Sequence, residues 1–179
     1  GLDRSLGEQY VSYLGDLVSG DFGYSYRQKR PIVDMIAERL PWTLLLAGSA
    51  LVFSAIVGVA LGAFSAWRRG RPVDVALLST LIALDSLPSF WLGMLFVSLF
   101  AVQLDLLPSQ GAITPAAGLE GMDLVIDIAA HAVLPVLTLS LLSVPGIYLT
   151  MRYSMLSVLG EDFIRTARSK GVTESTILF

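Results

Sequence analysis

The sequence predicts an all-α polytopic membrane protein, and three observations carry that prediction. The 28 residues from Leu40 to Trp67 hold no charged side chain, with Arg39 and Arg68 at either end. Two further uncharged runs follow, 19 residues at Ser86–Leu104 and 20 residues at Ala132–Met151. Hydrophobic residues make up 54% of the chain and charged residues 15%, against roughly 25% charged in a soluble domain. A hydrocarbon core about 30 Å thick takes about 20 helical residues to cross, so each run is long enough for one crossing.

The first span is expected over about 41–66, with Pro41 in its opening turn, where a missing N–H does no harm. Gly58 and Gly62 form a small-xxx-small pair, which permits close helix approach in lipid; the alternative is the general Gly-richness of membrane helices. The second span is expected over about 86–104. Pro88 should kink it. The ten uncharged residues Val75–Leu84 before Asp85 either extend the same helix or form a separate shallow segment. The third span is expected over about 132–151, and Pro145-Gly146 at its middle predicts a bend or a break. A broken helix at membrane depth is tolerated where protein or a cavity covers the freed backbone, which makes Pro145 and Gly146 candidates for lining a pathway. An ordinary packing kink explains them equally well.

Three spans put residues 67–74 and 152–179 on one side of the membrane and 1–40 and 105–131 on the other. The first pair holds seven Lys and Arg, while 105–131 has none. The positive-inside rule then assigns 67–74 and 152–179 to the cytoplasm. Residues 1–39 read as an extracytoplasmic segment with short amphipathic helices. Leu6, Tyr10, Tyr13, Leu14 and Leu17 fall at helical spacing, a turn follows around Gly20 to Tyr26, and Pro31 opens a second short helix. Residues 40–179 form the membrane domain. Trp42, Trp67 and Trp91 read as interface anchors, and 105–127 as an irregular connection.

Few residues suggest chemistry. The net charge of -3 excludes an electrostatic claim on nucleic acid. No cysteine and a single histidine, His131, leave no thiolate or multi-histidine metal site, and no catalytic set is visible. Asp85 reads either as an intramembrane acid of functional importance or, more simply, as a residue near the cytoplasmic surface. Ser89, Phe90 and Trp91 follow the Pro88 kink and either line a pathway or pack. The sharpest local pattern is GEDFIRTARSKG at 160–171. Its acids come first and its bases last, the order the helix dipole favours. Glu161 and Arg165 stand i,i+4, Phe163, Ile164 and Ala167 share a face, and Gly171 sits as a terminator. Thr173 then caps a helix beginning at Glu174. No Gly-rich phosphate loop occurs.

Four stretches carry a resemblance to a known family: residues 20–46 (GDFGYSYRQKRPIVDMIAERLPWTLLL), 84–111 (LDSLPSFWLGMLFVSLFAVQLDLLPSQG), 131–141 (HAVLPVLTLSL) and 151–171 (MRYSMLSVLGEDFIRTARSKG). Together the chain resembles the permease subunit of ATP-binding-cassette (ABC) importers, in the oligopeptide/dipeptide/nickel branch. The family's coupling motif is commonly Glu-Ala-Ala, three residues, then Gly. Arg165, Thr166, Ala167, Arg168 and Gly171 occupy it here, keeping the consensus at Ala167 and Gly171. Arg165 departs from it, although this branch often has a basic residue there. The motif's later Ile-x-Leu-Pro portion would fall beyond Phe179.

The resemblance implies a type I ABC importer transmembrane domain, incomplete, with three spans of six (the second to fourth) and the C-terminal part absent. It implies a non-catalytic subunit of a bacterial or archaeal plasma membrane. The short helix around Ala167 would dock on one of two ATP-binding subunits at the cytoplasmic face. ATP would be bound by those partners, with no cofactor in this chain. A second permease subunit, usually making a heterodimer, and an extracytoplasmic substrate-binding protein complete the implied assembly in the lipid bilayer. An intramembrane hydrolase would instead need a buried Ser–His or Asp–Asp pair. A secondary, ion-coupled transporter would need inverted repeats and buried ionisable groups. The cargo, peptide or similar small solute, is not written in these residues.

Overall fold

The computed structural model describes residues 5–173 and 176–177. Glu174, expected to open a helix behind Thr173, lies outside the described residues. The chain divides into two compact units, one up to Leu45 and one from Leu46 onward.

In the first unit, helix α1 spans Leu6–Val18. It starts where Ser5 and Glu8 satisfy each other's backbone: the Ser5 N–H donates to the Glu8 carboxylate at 3.0 Å, and the Ser5 hydroxyl accepts from the Glu8 N–H at 3.4 Å. No residue of α1 is buried, so its apolar face is left open. A minimal antiparallel pair follows, β1 (Tyr24–Ser25) against β2 (Arg30–Pro31), with Tyr24 opposite Pro31. Arg30 pairs with Glu38 on the surface, a contact worth little in water.

Two helices were predicted after Pro31, the second opened by Pro41. A single helix α2 forms instead, Ile32–Trp67, with Pro41 inside it. The ring at Pro41 removes one i→i−4 bond and leaves the others. Nearby, the Thr43 hydroxyl donates to the Arg39 carbonyl at 3.2 Å. The 36 residues of α2 extend about 54 Å at 1.5 Å per residue, well beyond a bilayer core.

In the second unit, one stripe of α2 is buried: Ala50, Ser54, Gly58, Gly62, Ser65 and Ala66. Every member is small, and most stand four apart. Ala50, Gly58, Gly62 and Ser65 of this stripe meet α5, which spans Gly121–Leu159. A Cβ placed on Gly58 would lie 2.8 Å from Ile147 Cγ2, and one on Gly62 would lie 2.7 Å from the Tyr148 carbonyl oxygen. The small-xxx-small pair is therefore a point of backbone approach. The Ser140 hydroxyl reaches across to the Ala50 carbonyl at 3.3 Å.

The apolar region after Gly70 is not one straight span. Helix α3 (Pro72–Asp85) ends at Ser86, Pro88 opens α4 (Ser89–Phe96), and the two meet at 99°. A π-helical segment, Val97–Gln103, continues α4. The segment before Asp85 is thus a helix of its own. The predicted 86–104 crossing begins at Ser89 and is too short to span alone. Counted as one bent span with α3, it is a third crossing beside α2 and α5, the two helices among the described residues long and apolar enough to cross unaided. Both α3 and α4 pack on α5. A core of Leu81, Val144 and Tyr148 joins α3 to α5, with Val57 and Leu61 of α2 against it.

Of the bend or break expected at Pro145-Gly146, no break forms: α5 runs through Pro135 and Pro145 uninterrupted for 39 residues. Pro145 is fully buried, and its ring removes one i→i−4 bond while the helix continues on either side. The Ser140, Ser143 and Thr150 hydroxyls donate back to carbonyls four residues earlier, at 2.6, 3.0 and 2.9 Å.

The glycine stripe yields a direct test. Gly62→Leu should destabilise the domain by about 1–3 kcal/mol, the usual cost of overpacking, seen as a lowered thermal midpoint in detergent micelles. Gly48→Leu, where no atom lies within 4 Å of the added carbon, should leave the midpoint unchanged.

Candidate functional site

Two structures in the second unit carry polar chemistry. The first is a buried junction where three helices meet. Asp74 lies in the first turn of α3, Ser65 near the end of α2, and Tyr148 and Arg152 one turn apart on α5. Arg152 forks onto the carboxylate, Nε to Oδ1 at 2.9 Å and Nη2 to Oδ2 at 3.0 Å. The Ser65 hydroxyl donates to Asp74 Oδ1 at 2.5 Å and lies 2.6 Å from the Tyr148 hydroxyl. Arg152 Nε also reaches Ser65 Oγ at 3.2 Å, and the Gly70 N–H donates to Asp74 Oδ2 at 2.9 Å.

All four side chains are buried; Asp74 keeps 3% of its surface and Arg152 8%. A charge here is tolerable because every carboxylate oxygen has at least two partners. The α2–α3 turn supplies one of them. Gly70 adopts φ +77, which aims its N–H at the carboxylate and is cheap only for glycine.

The second structure is helix α6, Asp162–Ser169, joined to α5 by Gly160 and Glu161 alone. Its exit is a Schellman turn. The Val172 N–H bonds the Ala167 carbonyl at 3.2 Å, the Gly171 N–H bonds the Arg168 carbonyl at 3.0 Å, and Gly171 has φ +80. Ile164 is buried, Ala167 half-buried, and Phe163, Arg165, Thr166 and Arg168 are exposed. Arg165 pairs with Asp162 at 3.4 Å, not with Glu161, which is the extended N-cap of α6 and so lies outside the helical i,i+4 spacing. The result is a rigid amphipathic stub with an open face.

The other predicted residues do not converge. Asp85 ends α3 exposed, Pro88 is the N-cap of α4, and Ser89, Phe90 and Trp91 are exposed in its first turn. Pro145 is buried while Gly146 is exposed. None of these seven lines the cavity of about 460 Å³ formed by α4, the 108–111 loop and α5, whose wall includes Gly93, Val97, Gln110, His131 and Thr138. His131 Nδ1 lies 2.8 Å from the Asp127 carbonyl oxygen. The Asp127 carboxylate in turn holds Thr114, accepting from its N–H at 2.7 Å and its hydroxyl at 2.6 Å. Among the described residues, no three His, Cys, Asp or Glu side chains gather as metal ligands.

Sequence reasoning missed the junction. Asp74 and Arg152 look like boundary charges because each stands just outside an apolar run. The only hint was their position: an acid and a base at the ends of two spans that must share one side.

Residues 58–179 match the family described as binding-protein-dependent transport system inner membrane component. The dipeptide transport system permease protein DppB of Escherichia coli (strain K12) is 32% identical over 195 residues, covering 99% of this chain and 58% of that protein. The glutathione transport system permease protein GsiC is 36% identical over 178 residues in both Escherichia coli (strain K12) and Shigella dysenteriae serotype 1 (strain Sd197), covering 99% of this chain and 54% of those proteins. The chain thus spans about half the length of the curated relatives it matches.

The junction makes its own prediction. Arg152→Ala strands a buried carboxylate and should cost about 3–5 kcal/mol of unfolding free energy. The double variant Asp74→Ala/Arg152→Ala should cost clearly less than the two single variants summed. Denaturant unfolding in detergent across the four proteins measures the difference; additive costs would mean that the pair does not interact.

Proposed function

Because the chain belongs to the family of binding-protein-dependent transport system inner membrane components, we propose that it works as the permease subunit of an ATP-driven importer for peptides or similar small solutes. In this reading α2, α5 and the bent α3–α4 pair supply part of the translocation pathway in the plasma membrane. The 67–74 and 152–179 segments face the cytoplasm, as their basic residues favour. The chain performs no catalytic step; ATP is bound by two separate subunits. A second permease subunit and an extracytoplasmic binding protein complete the assembly. The names of the relatives, dipeptide and glutathione permeases, support peptides as the cargo class.

The observation that carries this reading is the form of α6. A helix that transmits force between subunits should be short, stiff, sharply ended and small-faced at its contact. α6 has eight residues, an immediate Schellman exit at Gly171 and the small side chain of Ala167 along it. Its two-residue link makes it a direct continuation of α5. Arg165 and Arg168 add rim charges, which favour encounter more than affinity.

An ion-coupled carrier has less support. It would need an acid free to gain and lose its ion, and the one buried carboxylate among the described residues, Asp74, is held by Arg152. A hydrolase would need a nucleophile beside a base, and no described serine hydroxyl is hydrogen-bonded to His131.

Ala167→Trp tests the reading in the intact transporter. The bulky ring should keep α6 out of its groove and lower ATP-driven uptake by roughly tenfold or more, the change that about 1.4 kcal/mol of lost docking produces. The amount of protein in the membrane should stay the same. Undiminished uptake would count decisively against the assignment.

A further inference from the structure

We propose that the Arg152–Asp74 junction, with Ser65 and Tyr148, is the positioning element that carries displacement of α6 into α3 and α4. This rests on the permease reading given above. α6 hangs from α5 by two residues, and Ile164 is its one buried side chain. A push on α6 therefore enters the fold chiefly through the end of α5. Arg152 stands eight residues before Gly160, about 12 Å up that helix.

At that point α5 meets two other helices through directional bonds. Elsewhere the α3–α5 contact is apolar, through Leu81, Val144 and Tyr148, and apolar contacts resist separation more than sliding. A guanidinium fork on both carboxylate oxygens fixes distance and rotation together. Ser65 bonds Asp74 and Arg152 at once, which ties in the end of α2. Asp74 belongs to the first turn of α3, so the fork grips that helix at its end. α3 then leads across the 99° bend into α4. Stability alone is a weak reason for such a device, since well-packed apolar residues often serve at least as well as a buried ion pair. The fork and Ser65 together fix the relative placement of the three helices they join.

The test uses the membrane complex with its ATPase subunits. Val102, exposed in the continuation of α4, is replaced by cysteine as a reporter. Its maleimide labelling rate is compared without nucleotide and after trapping with ATP and vanadate. In the otherwise native chain, trapping should change the rate several-fold. In Arg152→Lys, which keeps the charge and loses the fork, the ATPase subunits should still associate while the rate no longer responds to trapping. Ser65→Ala and Tyr148→Phe should weaken the response in the same direction; they serve if Arg152→Lys fails to assemble. A purely structural junction would lower the yield of complex and leave the response per assembled complex unchanged, and that result overturns the proposal. So does a reporter indifferent to trapping in the native chain. If the native chain binds no ATPase, the permease reading fails with it; if Ala167→Trp abolishes association while every junction variant responds normally, only this inference fails.

Discussion

A full charge pair is buried where three helices meet, and the arrangement around that junction follows from how it is satisfied. Moving a carboxylate and a guanidinium out of water costs several kcal/mol for each. The cost is offset only if every lone pair and N–H finds a partner in fixed geometry. Asp74 meets that condition with Arg152, Ser65 and the Gly70 N–H. Each partner comes from a different piece of chain: α5, the end of α2, and the turn between α2 and α3. Satisfying one carboxylate therefore fixes three backbones. The turn must present Gly70 in the left-handed region, α3 must start where it does, and α5 must bring Arg152 to that depth.

The glycine stripe of α2 is the apolar counterpart of that junction. In lipid no hydrophobic force drives one helix onto another, so association depends on close contact and hydrogen bonds. Gly58 and Gly62 let the backbone of α2 approach Tyr148 and its neighbours on α5. Tyr148 then joins the two systems. Its ring belongs to the core with Leu81 and Val144, while its hydroxyl meets Ser65. Because packing and polar contact share one side chain, a change in either is felt in the other.

Prolines behave differently here from how they would on a solvated helix. Pro41 and Pro145 both lie within continuous helices, whereas Pro88 stands at a sharp bend. The difference is context. Pro145 is buried within α5. Pro88 follows Ser86, where α3 has already ended, and its own extended backbone makes it the cap of α4. Pro41 is exposed and still lies inside a continuous helix, so burial is not required: a missing N–H is a local loss of one bond, and the bonds on either side carry the helix past it.

Much of this protein was legible in the residues themselves. Uncharged runs fixed the solvent and the helical class, because backbone groups in hydrocarbon must bond within their own segment. The acid-to-base order of 160–171 and the position of Gly171 fixed α6 and its exit, since dipole and capping effects act within a turn or two. The left-handed exit at Gly171 was readable for the same reason, whereas a coupling role for Ala167 and Gly171 comes from the resemblance to the family motif and is a proposal. What required the tertiary structure was everything that depends on distant partners. Asp74 and Arg152 lie 78 residues apart, and neither carries a local sign of the other. The continuity of α2 and α5 and the separateness of α3 likewise showed only in the structure, because a proline removes one backbone bond and leaves the rest, and no residue pattern beside it states whether the helix runs on.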